Sequence, residues 1–347
     1  INLLAAQRID EHRLEIAERT TELHYARFPK FATRFGEAGR LKCREDALYH
    51  LAYLARAVEM GAHILFFDYL AWARILLHRL GIGTEDLVAN IEALTQAVEE
   101  ILKSDDSPVL DCLRAAIVRL PDLPKESEVN FLEPLAQSYL DALLRGDRAT
   151  ASTQINNAIA SGMSVRDIYL KVFEPCQHEV GRLWQIKQIS VAQEHYCTAA
   201  TQLMMSELYP HFLAQSSERG FKFIGTCIGN ELHEVGLRMV SDMLEMDGWD
   251  TMYLGANMPL DDLLDALREH RPDVVGISVT MTFHLDQIVK LIQSLRADSL
   301  LAGIRIVVGG YPFNLEPELW QRIGADGHAR NAKDAVAKAN QIMAKRK

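Results

Sequence analysis

The sequence predicts a multidomain protein of the α and α/β classes. It has an all-helical amino-terminal domain (1–125), a central helical-bundle cap (126–215) and a five-stranded, doubly wound α/β domain (216–347). Three observations predict it. Apolar residues recur at helical spacing from the start of the chain, and no stretch alternates at period two. Helical spacing resumes beyond the proline-marked connection Pro121-Asp122-Leu123-Pro124-Lys125. From Phe221 short apolar runs alternate with amphipathic stretches, the pattern of a parallel sheet with helices on both faces.

In the first segment a helix over Leu3–Phe28 is expected to stop at Pro29, and a second over Arg44–Met60 to close on Gly61. A third, Ala62–Leu80, closes on Gly81, where glycine takes the left-handed cap geometry. A fourth starts behind Thr84 as N-cap, with Glu85 and Asp86 in its first turn, where the helix dipole favours acids. Between Phe131 and Phe212, Gly146, Gly162 and Pro175 punctuate four or five bundle helices. A polar linker over Gln215–Gly220 follows. Strands are expected at Phe221–Ile228, Thr251–Leu254, Val274–Ser278, Ile304–Val308 and Gly324–Gly327. Helices are expected at 233–247, 260–270, 283–297, 315–323 and from Ala332.

Composition narrows the function classes. A net charge of -10 opposes sequence-independent grip on nucleic acid, which needs a basic face, and Lys345-Arg346-Lys347 reads as a solvated tail. No apolar run reaches the roughly 18 residues that would span a bilayer. Five scattered cysteines, without a C-x-x-C pair, argue against disulfides or structural zinc and for a reducing cytoplasm. The chain starts at Ile1, so its natural start is expected to lie upstream.

Ligands on doubly wound sheets bind at the carboxyl ends of the strands. Directly after the first strand stands Glu231-Leu232-His233-Glu234-Val235-Gly236. His233 is placed to meet a ligand there, and Glu231 to hold its other ring nitrogen, which fixes the tautomer of a metal-bound imidazole. Gly236 lets a bulky ligand approach the backbone. A zinc-protease reading fails because the second histidine of H-E-x-x-H falls at Leu237. Ser278-Val279-Thr280 follows the third strand and Gly309-Gly310 the fourth. Three signals in register suit a long group threaded into the sheet.

E-x-H-x-x-G, S-x-T and G-G on five alternating strands and helices resemble the flavodoxin-like cobalamin-binding domain of methionine synthases and mutases. The resemblance implies His233 as lower cobalt ligand in place of dimethylbenzimidazole, with Glu231 as its partner. It also implies that Ser278, Thr280, Gly309 and Gly310 line the nucleotide tail. Many members carry Asp where this chain has Glu231. The preceding bundle resembles the helical cap over the upper face of cobalamin in these proteins. It contains Trp184, nine residues, then Glu194-His195, behind a capping box from Ser190 to Gln193. W-x9-E-H resembles the signature of light-sensing cobalamin proteins, which implies that Trp184 and Glu194 contact an adenosyl group and that His195 binds cobalt after photolysis.

The amino-terminal domain resembles no basic winged helix. It clusters Tyr49, His50, Tyr53, His63, Phe66, Phe67, Tyr69 and Trp72 on two helices, with Arg74 and Arg79 nearby. A core stripe is the default for such spacing, though the Tyr and His content exceeds that of a dry core. The three-part order resembles the photocobilins, which implies biliverdin as a second chromophore, held by residues such as His50, Tyr53, Tyr69, Trp72 and Arg74. Cys43 is the one cysteine considered for covalent attachment.

The expected function is therefore a cytoplasmic, non-enzymatic light sensor that binds adenosylcobalamin. Light would change domain or homo-oligomer contacts read by an effector protein. The alternatives are a corrinoid methyl-carrier of a methyltransferase, or a light-independent cobalamin-sensing regulator.

Overall fold

The computed structural model describes residues 2–102, 107–213 and 219–345. Most of the expected linker at 215–220 and the last two residues of the basic tail lie outside them. The chain divides into two compact units, Ile1–Ser127 and Glu128–Lys347.

The first unit is helical throughout its described residues: α1 (Leu3–Arg27), α2 (Pro29–Met60), α3 (Ile64–Arg79), α4 (Thr84–Leu102) and α5 (Ser107–Arg119). Pro29 ends one helix and opens the next, because a proline at the first helical position loses no intrahelical hydrogen bond. Helix α2 thus starts earlier than Arg44, with an interruption at Gly36, whose φ of 59° only glycine adopts readily. Gly61 caps α2 in the left-handed region, as expected. Helix α4 begins at Thr84 rather than behind it. The Asp86 carboxylate takes the Gly83 N–H, which frees the Thr84 hydroxyl for another partner.

The second unit joins the bundle and the sheet. The bundle comprises α6 (Pro134–Leu144), α7 (Arg148–Ala160), α8 (Val165–Ile168), a π turn (Tyr169–Phe173), α9 (Glu174–Gln185), α10 (Val191–Leu208) and α11 (Pro210–Leu213). Pro175 does not break the run from Val165 to Gln185. A proline clashes with the carbonyl four residues earlier, and the wider π turn just before it relieves that clash. Tyr139, Tyr169 and Phe173 fill the bundle core, their rings 5.4 and 5.7 Å apart about Phe173.

The α/β part alternates β1 (Lys222–Ile228), α12 (Val235–Glu245), β2 (Asp250–Met258), α13 (Leu260–His270), β3 (Val274–Ser278), α14 (Leu285–Ala297), β4 (Arg305–Gly309), α15 (Tyr311–Leu315), α16 (Leu319–Arg322), β5 (Gly327–Ala329) and α17 (Ala332–Ala344). The strands pair in parallel in the order β2-β1-β3-β4-β5, with the switch in direction between β1 and β3. This is the doubly wound fold read from the sequence. The expected helix over 315–323 is two short pieces, because Pro317 interrupts it. Strand β2 runs on to Met258 with a broken register opposite Gly225–Ile228. There Gly255 and Asn257 take positive φ, and no period-two pattern announces them.

The face of α12 that meets the bundle is held by polar contacts. Tyr169 donates to Asp242 at 2.7 Å, Arg238 to Ser206 at 2.7 Å and Gln202 to Glu234 at 2.8 Å. Burial pushes the Asp242 carboxyl up from 3.8 to about 6, against the opposing pull of the Tyr169 hydrogen bond and the Arg238 charge. Its folded value exceeds its unfolded one, so its contribution to stability is full below about pH 4 and is lost as pH rises through 6. Tyr169→Phe leaves this carboxylate short of a donor and is expected to cost about 1–3 kcal/mol in denaturant melts at neutral pH. Asp242→Asn should flatten the fall in melting temperature between pH 4 and 7. A slope equal to the parent's would contradict the assignment.

Candidate functional site

At the switch point the loop after β1 turns sharply at Gly229, where φ is 57°, and carries Glu231 and His233 over the ends of β1 and β3. The Glu231 side chain is fully buried, and five donors reach it. Oε1 accepts from the His233 backbone N–H at 3.0 Å and from His233 Nδ1 at 2.5 Å. Oε2 accepts from the Thr280 and Met281 backbone N–H groups at 2.8 and 2.9 Å and from His284 Nδ1 at 3.2 Å. Burial alone would raise this carboxyl, but the hydrogen bonds from His233, His284 and Met281 hold it far below its ordinary value of 4.5. The Glu231 carbonyl in turn takes the Asn257 N–H at 3.0 Å, which ties the loop to the end of β2.

The His233 side chain is 56% exposed. The hydrogen bond from its Nδ1 to Glu231 raises its pKa, opposed by burial, and the Glu194 charge adds to the rise. With Nδ1 engaged, Nε2 is the nitrogen presented outward, the tautomer a metal-binding imidazole needs. Among the described residues no group of three His, Cys, Asp or Glu could hold a metal ion. A metal at His233 must therefore bring its remaining ligands with it, as cobalt in a corrin ring does.

The remaining expected residues divide. Ser278 pairs with Gly309 in the β3–β4 register, so the two stand side by side at the strand ends. Gly310 has φ of 101°, and a Cβ there would lie 1.9 Å from the Val279 carbonyl oxygen. Internal packing thus explains that glycine without a ligand. A Cβ at Gly236 would meet no heavy atom within 4 Å, so nothing in the chain's own packing demands it, as suits close approach by a large ligand. Thr280 contributes its backbone N–H to Glu231.

The bundle presents its own residues at the α9–α10 turn. The expected capping box at Ser190 and Gln193 is present. Lys187 there takes φ of 60° and sets its ammonium 5.8 Å from the Trp184 ring. Glu194 Oε2 meets His195 Nδ1 at 2.5 Å, and Oε1 accepts from the Thr198 hydroxyl at 3.2 Å. The His195 side chain is 75% exposed.

In the amino-terminal unit His50 Nδ1 lies 2.8 Å from the Tyr69 hydroxyl, and Tyr53 stacks on Tyr69 at 3.9 Å. His50 and Tyr69 are buried, and Trp72 stands at the edge, 36% exposed. Arg74 turns away from them, to Thr84 and the Leu123 carbonyl. The core stripe accounts for His50, Tyr53 and Tyr69. The Cys43 thiol is pushed up to about 11 by burial, which makes it a poor nucleophile for covalent attachment.

Two contributors escaped the sequence reading. His284, in the short 3-10 turn Thr282–His284, and the backbone N–H of Met281 complete the shell of Glu231. The available signal was a polar ring at the start of a helix that follows a strand's carboxyl end. Replacing Glu231 with Ala removes five hydrogen bonds from a buried point and is expected to destabilise the unit by about 3–5 kcal/mol in chemical denaturation. The parent should lose this contribution as pH falls below the ordinary carboxylate range, because its folded pKa is depressed. An acid melting profile unchanged in the variant would contradict that role.

Residues 221–337 match the model of the B12 binding domain, and residues 135–209 match a second model, also described as a B12 binding domain. The dimethylamine corrinoid protein of Methanosarcina barkeri is 28% identical over 218 residues, 61% of this chain and 99% of the relative. Dimethylamine corrinoid protein 3 of Methanosarcina mazei is 31% identical over 141 residues, 40% of this chain and 81% of the relative. The solved structure of the Methanosarcina barkeri monomethylamine corrinoid protein shares the fold, with a TM-score of 0.54 at 23% identity over 60% of this chain and 98% of that one. Residues before 135 lie outside both model matches. The chain belongs to the corrinoid protein family and is a cobalamin-binding protein.

Proposed function

We propose that this chain is a corrinoid carrier: His233 Nε2 would hold the cobalt of cobalamin, and the loaded protein would serve a methyltransferase. The observation that carries the reading is the buried Glu231 carboxylate, which fixes the His233 ring through Nδ1 and anchors its loop to the end of β3. Cobalamin bound there would supply the cobalt chemistry of methyl transfer, with His233, Glu231 and the strand-end residues holding it. In this reading Gly236 leaves the space beside the histidine open, and Ser278 and Gly309 border the groove for the nucleotide tail. The family relationship supports the carrier, since its relatives are named as methylamine corrinoid proteins.

A specific observation favours a second reading, an adenosylcobalamin light sensor. Trp184, Glu194 and His195 stand at the two ends of one short turn, and the Glu194 charge adds to the rise in the His233 pKa. That trio suits a bulky upper ligand better than free methyl exchange. Light-dependent subunit contacts, an effector protein and biliverdin in the amino-terminal unit belong to this second reading.

His233→Ala is expected to weaken cobalamin binding 10–100-fold and to abolish the His-on absorption spectrum. An unchanged spectrum would remove the ligand assignment. The same protein loaded with adenosylcobalamin in darkness and then exposed to green light separates the readings. Corrin bands that keep to their thermal course support the carrier. A lasting shift under light that is lost in His195→Ala supports the sensor.

A further inference from the structure

The amino-terminal unit holds a charged group whose surroundings do not account for it. Arg74, on α3, is 3% exposed. A guanidinium carries five N–H donors and no acceptor. Nε donates to the Thr84 hydroxyl at 2.9 Å and Nη1 to the Leu123 carbonyl, both neutral oxygens, so three donors remain. Among the described residues no carboxylate stands within the 4.0 Å ion-pair distance of it. The unit's other buried arginine is treated differently: Arg56 is gripped by Asp10 and by Glu59, the latter at 2.8 Å. A buried cation without an anion carries a large desolvation cost that neutral dipoles offset only in part.

Arg74 lines a cleft of about 420 Å³, inside the roughly 300–1,000 Å³ range of small-molecule sites. The first turns of α4 form one wall, with Thr84 and Val88 on a single helix face and Ala89 beside them, and Pro121 and Lys125 form the other. The positive end of the α4 dipole opens here, a second reason for an anion to settle at this place. Two acids also border the cleft. Glu92 is already held by Arg27 at 2.8 Å, and Glu85 is exposed at the mouth. Arg74 and Lys125 against Glu85 and Glu92 leave the walls near neutrality, a setting that disfavours a dianion. Val88, Ala89 and Pro121 offer apolar surface beside the guanidinium.

The geometry points to a binding site in this cleft for a small monocarboxylate with an apolar body, its carboxylate on the free donors of Arg74 and its body against Val88 and Pro121. The planar guanidinium fork matches a carboxylate in two-point contact, which a lysine would not. The site lies within the helical unit and does not depend on the cobalamin reading.

Isothermal titration of the full chain with hexanoate and with 4-phenylbutyrate tests it, with inorganic phosphate as the comparison anion. One equivalent of carboxylate is expected to bind saturably, at least tenfold more tightly than phosphate. Binding should weaken at least tenfold in Arg74→Gln and in Val88→Trp, and stay unchanged in His233→Ala. Val88→Trp fills the cleft while leaving both Arg74 hydrogen bonds in place, so it decides the matter if circular dichroism shows Arg74→Gln unfolded. No saturable carboxylate binding, phosphate binding of equal strength, or full affinity in Val88→Trp would each overturn the assignment.

Discussion

Two loops from different strands meet on one carboxylate. The loop after β1 supplies Glu231 and His233, and the segment after β3 supplies the N–H groups of Thr280 and Met281 and the ring of His284. In a doubly wound sheet these strand ends are neighbours only because the chain order reverses between β1 and β3. A carboxylate taken wholly out of water is tolerated only where hydrogen bonds replace its hydration, and here five do so. The position and tautomer of His233 follow from that arrangement. A rigid ring with a single outward nitrogen is what a metal ion bound elsewhere by a macrocycle requires of a protein.

The bundle depends on the same region. Glu234, one residue past the histidine, accepts from Gln202 of α10 and from Tyr253 of β2, each at 2.8 Å. Helix α12, which starts immediately afterwards, meets the bundle through Asp242, Arg238 and Glu245. Arg166 of α8 adds a further polar contact to this face, to the Met243 carbonyl at 3.4 Å. Glu194 and His195 stand in the first turns of α10. Their side chains hydrogen-bond each other at 2.5 Å.

Much of this was legible in the chain itself. The five strand–helix alternations, the glycine caps at Gly61 and Gly81, and the capping box at Ser190 all follow from local periodicity and local hydrogen bonding, which the structure keeps. The pairing of Glu231 with His233 was legible for the same reason, since two residues of separation place both in one loop. The helix start at Pro29 and the π turn before Pro175 were not, because a proline can end a helix, open one or be absorbed by a wider turn, and the broken register of β2 was not, because it exists only in the pairing with β1.

The sequence by itself determined which residues stand at the strand ends: Glu231 and His233 after β1, Ser278 at the end of β3, and Gly309 and Gly310 at the end of β4. Tertiary structure alone decided what holds them. His284 lies 53 positions from Glu231 and joins it only once β3 is laid beside β1. Gly310 is required by the Val279 backbone across its loop, which no local pattern reveals. Arg74 reads as one more basic residue until folding buries it and supplies only neutral oxygens. Local propensity and spacing are written along the chain, whereas burial and long-range hydrogen bonding exist only between segments that the fold brings together.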